Sequence, residues 1–182
     1  MKDNMSMALL VIDVQQGLFE KSTKIYQADQ ILKNINTLIT AARVAGSPVI
    51  FIQHSNENSL AYGSRDWQLH PEIQPQAGET LIHKRLGNAF EKTDLHPVLQ
   101  SLGVQTVVVS GLVTHGCVRA TAIGGLELGY RVILVSDAHS NFSKDAPKLI
   151  EKWNHDLGEM GAELLPTAAI QFPKLFPAEQ SG

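Results

Sequence analysis

Residues 105–129 read QTVVVSGLVTHGCVRATAIGGLELG. The run Thr106-Val107-Val108-Val109-Ser110 is short, apolar and β-branched, the composition of a strand buried on both faces of a parallel sheet. Small residues follow in Gly111-Leu112-Val113-Thr114-His115-Gly116, and Cys117-Val118-Arg119-Ala120-Thr121-Ala122-Ile123 predicts a helix that stops near Gly129. The only cysteine of the chain thus falls at the first turn of a helix, directly after a central strand. Unpaired N–H groups and the helix dipole favour a thiolate there, and the same N–H groups can receive a developing oxyanion. A lone cysteine is equally at home as a small buried hydrophobe, so the rest of the chain has to weigh between the two.

Working outward, the same alternation repeats on both sides. Ala8-Leu9-Leu10-Val11-Ile12 is a continuous apolar run that delivers Asp13. Ile31, Ile35, Leu38, Ile39 and Ala42 recur at helical spacing before Gly46 and Pro48 stop the helix, and Val49-Ile50-Phe51-Ile52 gives a second strand ending at Gln53-His54. Residues 55–78 lose periodicity while carrying Tyr62, Trp67, His70, Pro71 and Pro75. A loop of that length with aromatic residues is expected to wall a pocket. Thr80-Leu81-Ile82-His83 delivers Lys84, and Asp94 to Leu102 is a short helix with Pro97 in its first turn. Arg131 to Ser136 is a fifth strand ending in Asp137, Ala146 to Met160 a helix, and Ala162 to Leu165 a weak edge strand. About six strands alternating with helices imply a doubly wound α/β fold, a three-layer α/β/α sandwich on a mostly parallel sheet.

Composition narrows the class. At 182 residues, with 43% apolar and 18% charged residues, the chain is expected to form a single domain over 1–182. A net charge of −3 with dispersed Lys and Arg gives no surface for nucleic acid or anionic lipid. One cysteine makes no internal disulfide, no signal-type segment opens the chain, and no apolar run approaches the roughly 20 residues of a membrane span. A cytoplasmic location is expected. The helix from Asp145 to Met160 carries Ile150, Trp153 and Leu157 at helical spacing. That pattern is read as a self-association face, and a homo-oligomer, a dimer or tetramer, is expected.

Asp13, Lys84 and Cys117 each follow a separate apolar strand, and in a parallel sheet those strand ends share one edge. An ammonium favours a neighbouring thiolate, and a carboxylate can accept and return the thiol proton. The same three residues are also compatible with a capping carboxylate, a solvated strand-end charge and a packed thiol. Walker, G-x-G-x-x-G and G-x-S-x-G patterns are missing, and the seven histidines form no short-spaced helical pair, which disfavours nucleotide, serine and zinc chemistry.

Leu10-Val11-Ile12-Asp13-Val14-Gln15-Gln16, His83-Lys84-Arg85-Leu86-Gly87-Asn88-Ala89-Phe90 and Gly111 to Thr121 resemble the three motifs of the isochorismatase-like cysteine hydrolases, over about Ala8 to Ala168. The resemblance implies a doubly wound parallel sheet with Cys117 as nucleophile, Asp13 as general base and Lys84 as its electrostatic partner. It also implies a cis peptide at Val113–Thr114, in a turn where Val113, Thr114 and Cys117 form an oxyanion hole. Isochorismatases proper lack the cysteine, so Cys117 argues for the amidase-type branch. Nicotinamidases carry an Asp and His metal set after the second strand. Here Gln53-His54-Ser55-Asn56 offers one His, and Asp66 and His70 stand too far along to restore the set. Trp67-Gln68-Leu69-His70-Pro71-Glu72 is similar to a form found among streptothricin-hydrolase-like members.

The expectation is a metal-independent and cofactor-free cysteine hydrolase cleaving a small-molecule amide through a thioester. Phe19, His54, Tyr62, Trp67 and His115 are expected to line its pocket. The alternatives are a vinyl-ether or other non-acyl hydrolase working through Asp13 and Lys84, and a small-molecule-binding oligomer without turnover. A thiolate favoured by Lys84 and the helix start should alkylate below the usual thiol value of about 8.5.

Overall fold

In the computed structural model, which describes residues 6–174, strand β1 (Ser6–Ile12) shows how the layers are made. Successive side chains leave a strand on opposite faces. Met7, Leu9 and Val11 join one apolar cluster with Ile35, Leu38 and Ile39 of helix α2 (Ala28–Ala45), which follows the single-turn helix α1 (Gln16–Phe19). Ala8, Leu10 and Ile12 join a second cluster with Leu99 of α3 (Leu95–Ser101), Ala122 of α4 (Arg119–Glu127) and Leu157 of α5 (Ala146–Glu159). Burying each large aliphatic side chain contributes about 1.5–3 kcal/mol, so the sheet is held from both sides. Three layers result, as the apolar strand runs predict.

The sheet is six-stranded and its neighbours pair in parallel throughout, in the order β3-β2-β1-β4-β5-β6. Besides β1 it contains β2 (Val49–His54), β3 (Thr80–Lys84), β4 (Val104–Leu112), β5 (Arg131–Ser140) and β6 (Glu163–Leu165). The chain winds outward from β1 to β3, then returns to β1's other side with β4. The order therefore reverses between β1 and β4, and the carboxyl ends flanking that reversal are where open α/β sheets place ligands. Gly111 makes the close pairing possible: its φ is +118°, and a Cβ there would lie 2.1 Å from the Ile12 carbonyl oxygen.

Two expectations are revised. Strand β5 does not stop at Ser136. After a register shift between Val109 and Gly111 it pairs again, His139 with Gly111 and Ser140 with Leu112, so Asp137 lies within the strand. Asp137 Oδ1 accepts from the backbone N–H and the hydroxyl of Thr167, both at 2.7 Å, fixing the short 3-10 turn Thr167–Ala169. In α5, Leu157 is fully buried and Trp153 is half-buried beneath Arg119, whose guanidinium sits 4.9 Å from the ring centroid. The apolar residues read as a self-association face are thus partly used within the chain.

The aperiodic segment 55–78 is pinned against the residues that follow β1. His70 N–H donates to the Val14 carbonyl at 2.8 Å, and the N–H groups of Gln16 and Gly17 donate to Gln68 and Asp66, both at 2.9 Å. Farther along, Glu79 pairs with Arg43 of α2 at 2.8 Å. No helix among the described residues is long and apolar enough to cross a membrane. Of the expected polar start Met1–Ser6 only Ser6 is described, and residues 175–182 of the expected 1–182 domain also lie outside the described part.

Candidate active site

Strand parity brings the site together. Ile82 and Lys84 on β3 share a face, as do Ile50, Ile52 and His54 on β2, and the apolar members pack on the side covered by α3 and α4. Because His54 and Lys84 are register partners, their side chains stand next to one another. Asp13 follows β1 with φ +51°, a conformation Asp tolerates better than most residues, and its N–H donates to the Ile52 carbonyl at 2.9 Å. Cys117 arrives from β4.

Lys84 is the centre. Its Nζ lies 3.0 Å from Asp13 Oδ2, 3.1 Å from Cys117 Sγ, 3.1 Å from the Leu86 carbonyl oxygen and 3.2 Å from His54 Nδ1. The Lys84 and Asp13 side chains are 0% and 3% exposed, so this ion pair is shielded from solvent. Asp13 Oδ1 is buried and has no hydrogen-bond partner among the described residues. The structure therefore brings Asp13, Lys84 and Cys117 into contact and adds His54, which the sequence reading placed only in the pocket.

Two details of the cysteine turn differ from expectation. The turn Thr114–Val118 is broken at Gly116, whose φ of −115° and ψ of −110° leave the helical path, and Cys117 stands directly after the break, with Val118 and Arg119 in right-handed helical conformation leading into α4. The cis peptide is at Leu112–Val113, one bond before the expected Val113–Thr114, because β4 ends at Leu112 and the chain reverses immediately afterwards. Val113 enters the turn as an acceptor, its carbonyl taking the N–H groups of Gly116 at 3.0 Å and Val118 at 3.3 Å.

The protonation of the thiol is a third correction. Burial pushes Cys117 from its ordinary 9.0 up to about 12; the Asp13 carboxylate adds to this and the Lys84 ammonium opposes it. Desolvation outweighs the cation, so the resting group is a neutral thiol rather than a thiolate. Burial likewise holds His54 below the ordinary imidazole range, with the Lys84 charge acting in the same direction.

Thr114 does not point its hydroxyl at the site. Asn154 Nδ2 donates to the Ser136 carbonyl at 3.2 Å, which leaves Asn154 Oδ1 to accept from His139 Nε2 at 2.9 Å. His139 Nδ1 then accepts the Thr114 hydroxyl at 2.9 Å. Burial keeps His139 below the ordinary imidazole range, which suits this neutral, fully assigned chain. A cavity of about 540 Å³ between α2 and α5 borders His139 and Asn154 but touches none of Asp13, Lys84 or Cys117.

The remaining expected pocket residues form separate groups. Tyr62 and Trp67 pack with ring centroids 4.7 Å apart, and Tyr62 also lies 4.8 Å from His83, which directly precedes Lys84. Trp67 Nε1 is buried without a partner among the described residues. Phe19 packs on His70 with ring centroids 4.6 Å apart, and His115 has a buried Nδ1 with no partner among the described residues. Gln15, two residues after Asp13, carries no role in the sequence reading. Its Nε2 donates to the carbonyls of His54 at 2.9 Å and Trp67 at 2.8 Å, while its Oε1 accepts the His54 N–H at 2.9 Å. Its position two residues after Asp13 was the available signal, but the partners lie 39 and 52 residues away.

Asp13, His54 and Cys117 each offer one donor atom within 4.8 Å of the others, which superficially resembles a metal set. Lys84 Nζ already contacts all three. A divalent cation would have to displace a buried ammonium or share its space, so the donor set does not fit one.

A parallel α/β/α sheet with cysteine, lysine and aspartate meeting at its switch-point edge defines a class of α/β hydrolase. Over residues 7–168 the chain matches the Isochorismatase domain model, and it belongs to the isochorismatase family. It is 35% identical to a streptothricin hydrolase of Streptomyces noursei over 96% of this chain and 68% of that protein. To the maleamate amidohydrolase of Pseudomonas putida it is 42% identical, over 74% of each chain. An isochorismatase crystal structure from Pseudomonas putida superposes with a TM-score of 0.84 at 30% identity, covering 91% of this chain and 90% of that one.

Proposed function

We propose that this chain is a metal-independent cysteine hydrolase that cleaves a carbon–nitrogen bond of a small-molecule amide through a thioester on Cys117. The observation that carries this reading is the Lys84 ammonium in contact with both Asp13 Oδ2 and Cys117 Sγ. Similarity to proteins named streptothricin hydrolase and maleamate amidohydrolase supports the amide class.

The site starts with a neutral thiol, so deprotonation must accompany attack. Asp13, which lies beside Cys117, takes the S–H proton, and the sulfur bonds to the amide carbon. Lys84 stabilises the charge on sulfur as it develops, and the turn carrying Cys117 holds the oxyanion. The C–N bond then breaks and the departing nitrogen takes its proton from Asp13. A water molecule gives a proton to Asp13 as its oxygen attacks the thioester, and the C–S bond breaks. The thiolate regains its proton from Asp13, and the carboxylic acid product leaves.

Intact-mass measurement after rapid acid quenching, across a panel of primary, ureido and cyclic amides, tests the reading. A substrate-dependent acyl adduct on Cys117 is expected. Turnover that persists at the wild-type rate in Cys117→Ser, with no adduct, would instead establish non-acyl hydrolysis through Asp13 and Lys84.

A further inference from the structure

An ammonium has three N–H donors, yet four acceptors surround Lys84 Nζ: Asp13 Oδ2 at 3.0 Å, Leu86 O at 3.1 Å, Cys117 Sγ at 3.1 Å and His54 Nδ1 at 3.2 Å. One of the four is always without a hydrogen bond. Lysine can only donate, so whenever Lys84 bonds to His54 it is Nδ1 that accepts, and a neutral imidazole in that arrangement carries its proton on Nε2. His54 therefore cannot act as a base through Nδ1 while Lys84 holds it.

We infer that His54 is a positioning residue that takes the third N–H of Lys84 while Cys117 is a thiol and releases it to Sγ when the thiol ionises. A neutral thiol needs no strong donor, so in the resting protein Lys84 serves Asp13, Leu86 and His54. On ionisation the S–H proton moves to the Asp13 carboxylate, leaving a thiolate and a carboxylic acid with no net change in charge. Hydrogen bonds to ions are stronger than those to neutral groups, so the N–H turns to sulfur. Of the four contacts, that to His54 is the longest and the imidazole is neutral. The backbone of β2 holds it in register beside Lys84 in both states. The charged and titratable groups bearing on Cys117 are Asp13, Lys84 and His54, and those bearing on His54 are Lys84, Asp13, His83 and Cys117. The exchange is a property of the free protein and is independent of the substrate class.

Because Cys117 is the only cysteine, its alkylation by iodoacetamide can be followed on the whole folded chain by mass spectrometry. His54→Leu removes the competing acceptor and leaves the N–H with sulfur, so the rate between about pH 7 and 9 is expected to rise about tenfold, equivalent to one pKa unit. His54→Asn, whose Oδ1 can stand where Nδ1 stood, is expected to stay near the wild-type rate. A His54→Leu rate at or below wild type, or equal rates for Leu and Asn, would overturn the inference. Imidazole 15N shifts of wild-type protein give a test that does not depend on either variant folding. A bare Nδ1 and protonated Nε2 on His54 at neutral pH support the exchange, and the opposite tautomer refutes it.

Discussion

Lys84 Nζ lies 3.1 Å from Cys117 Sγ across 33 residues of sequence, yet burial still holds the thiol neutral. The cation is present but does not win, because removing a thiolate from water costs more than one shared ammonium returns. This balance separates a site that stores a thiolate from one that forms it during attack.

Replacing Cys117 with Ser keeps the side chain's shape while substituting a hydroxyl that Asp13 cannot deprotonate. Turnover of any amide substrate is expected to fall at least about a thousandfold, the scale lost with other catalytic nucleophiles, with an unchanged thermal melt. Activity within a few fold of wild type would refute nucleophilic attack by Cys117.

Removing one member of the buried ion pair leaves the other charge unpaired. Lys84→Met is expected to destabilise the fold by about 3–5 kcal/mol and abolish turnover. Combining it with Asp13→Asn removes the stranded carboxylate and should recover part of the loss. Denaturant melts of both single variants and the double variant measure this coupling; purely additive effects would show that the pair does not interact energetically.

Lys84 fills the space among Asp13, His54 and Cys117 that a metal would require. Dialysis against EDTA is therefore expected to leave turnover unchanged. An activity lost to chelation and restored by zinc would mean that Lys84 leaves this position in the working protein.

The elevated thiol also predicts the alkaline limb of the stability curve. Between 9.0 and about 12 the folded protein retains a proton that the unfolded chain has lost. With more protons bound in the native state, unfolding free energy falls as pH rises, by up to about 1.4 kcal/mol per pH unit from this group. Below pH 9.0 that contribution is fully present. Equilibrium melts of wild type and Cys117→Ser should diverge across the window, the variant losing less stability; parallel curves would place the thiol in solvent.

Apolar runs such as Ala8–Ile12 and Thr106–Ser110 were legible because a strand buried on both faces has to be apolar at every position. A Gly46 stop and a 3.6-residue period did the same for α2. The end of β5 was not legible: its continuation to Ser140 depends on a register shift against β4, a relation between two segments. The break at Gly116, directly before Cys117, was not legible for a similar reason, since it falls where the chain leaves β4.

By itself the sequence determined the layered parallel sheet and the delivery of Asp13, Lys84 and Cys117 to one edge. Local periodicity specifies strands and helices, and parallel strands joined by crossover helices must end on the same side. Only the tertiary structure decided what those groups experience there. Desolvation, the four acceptors around three N–H donors, and the Gln15 tie to His54 and Trp67 arise from atoms far apart in the chain. Proton affinity and hydrogen-bond competition depend on distances and exclusion of water, which no run of residues carries alone.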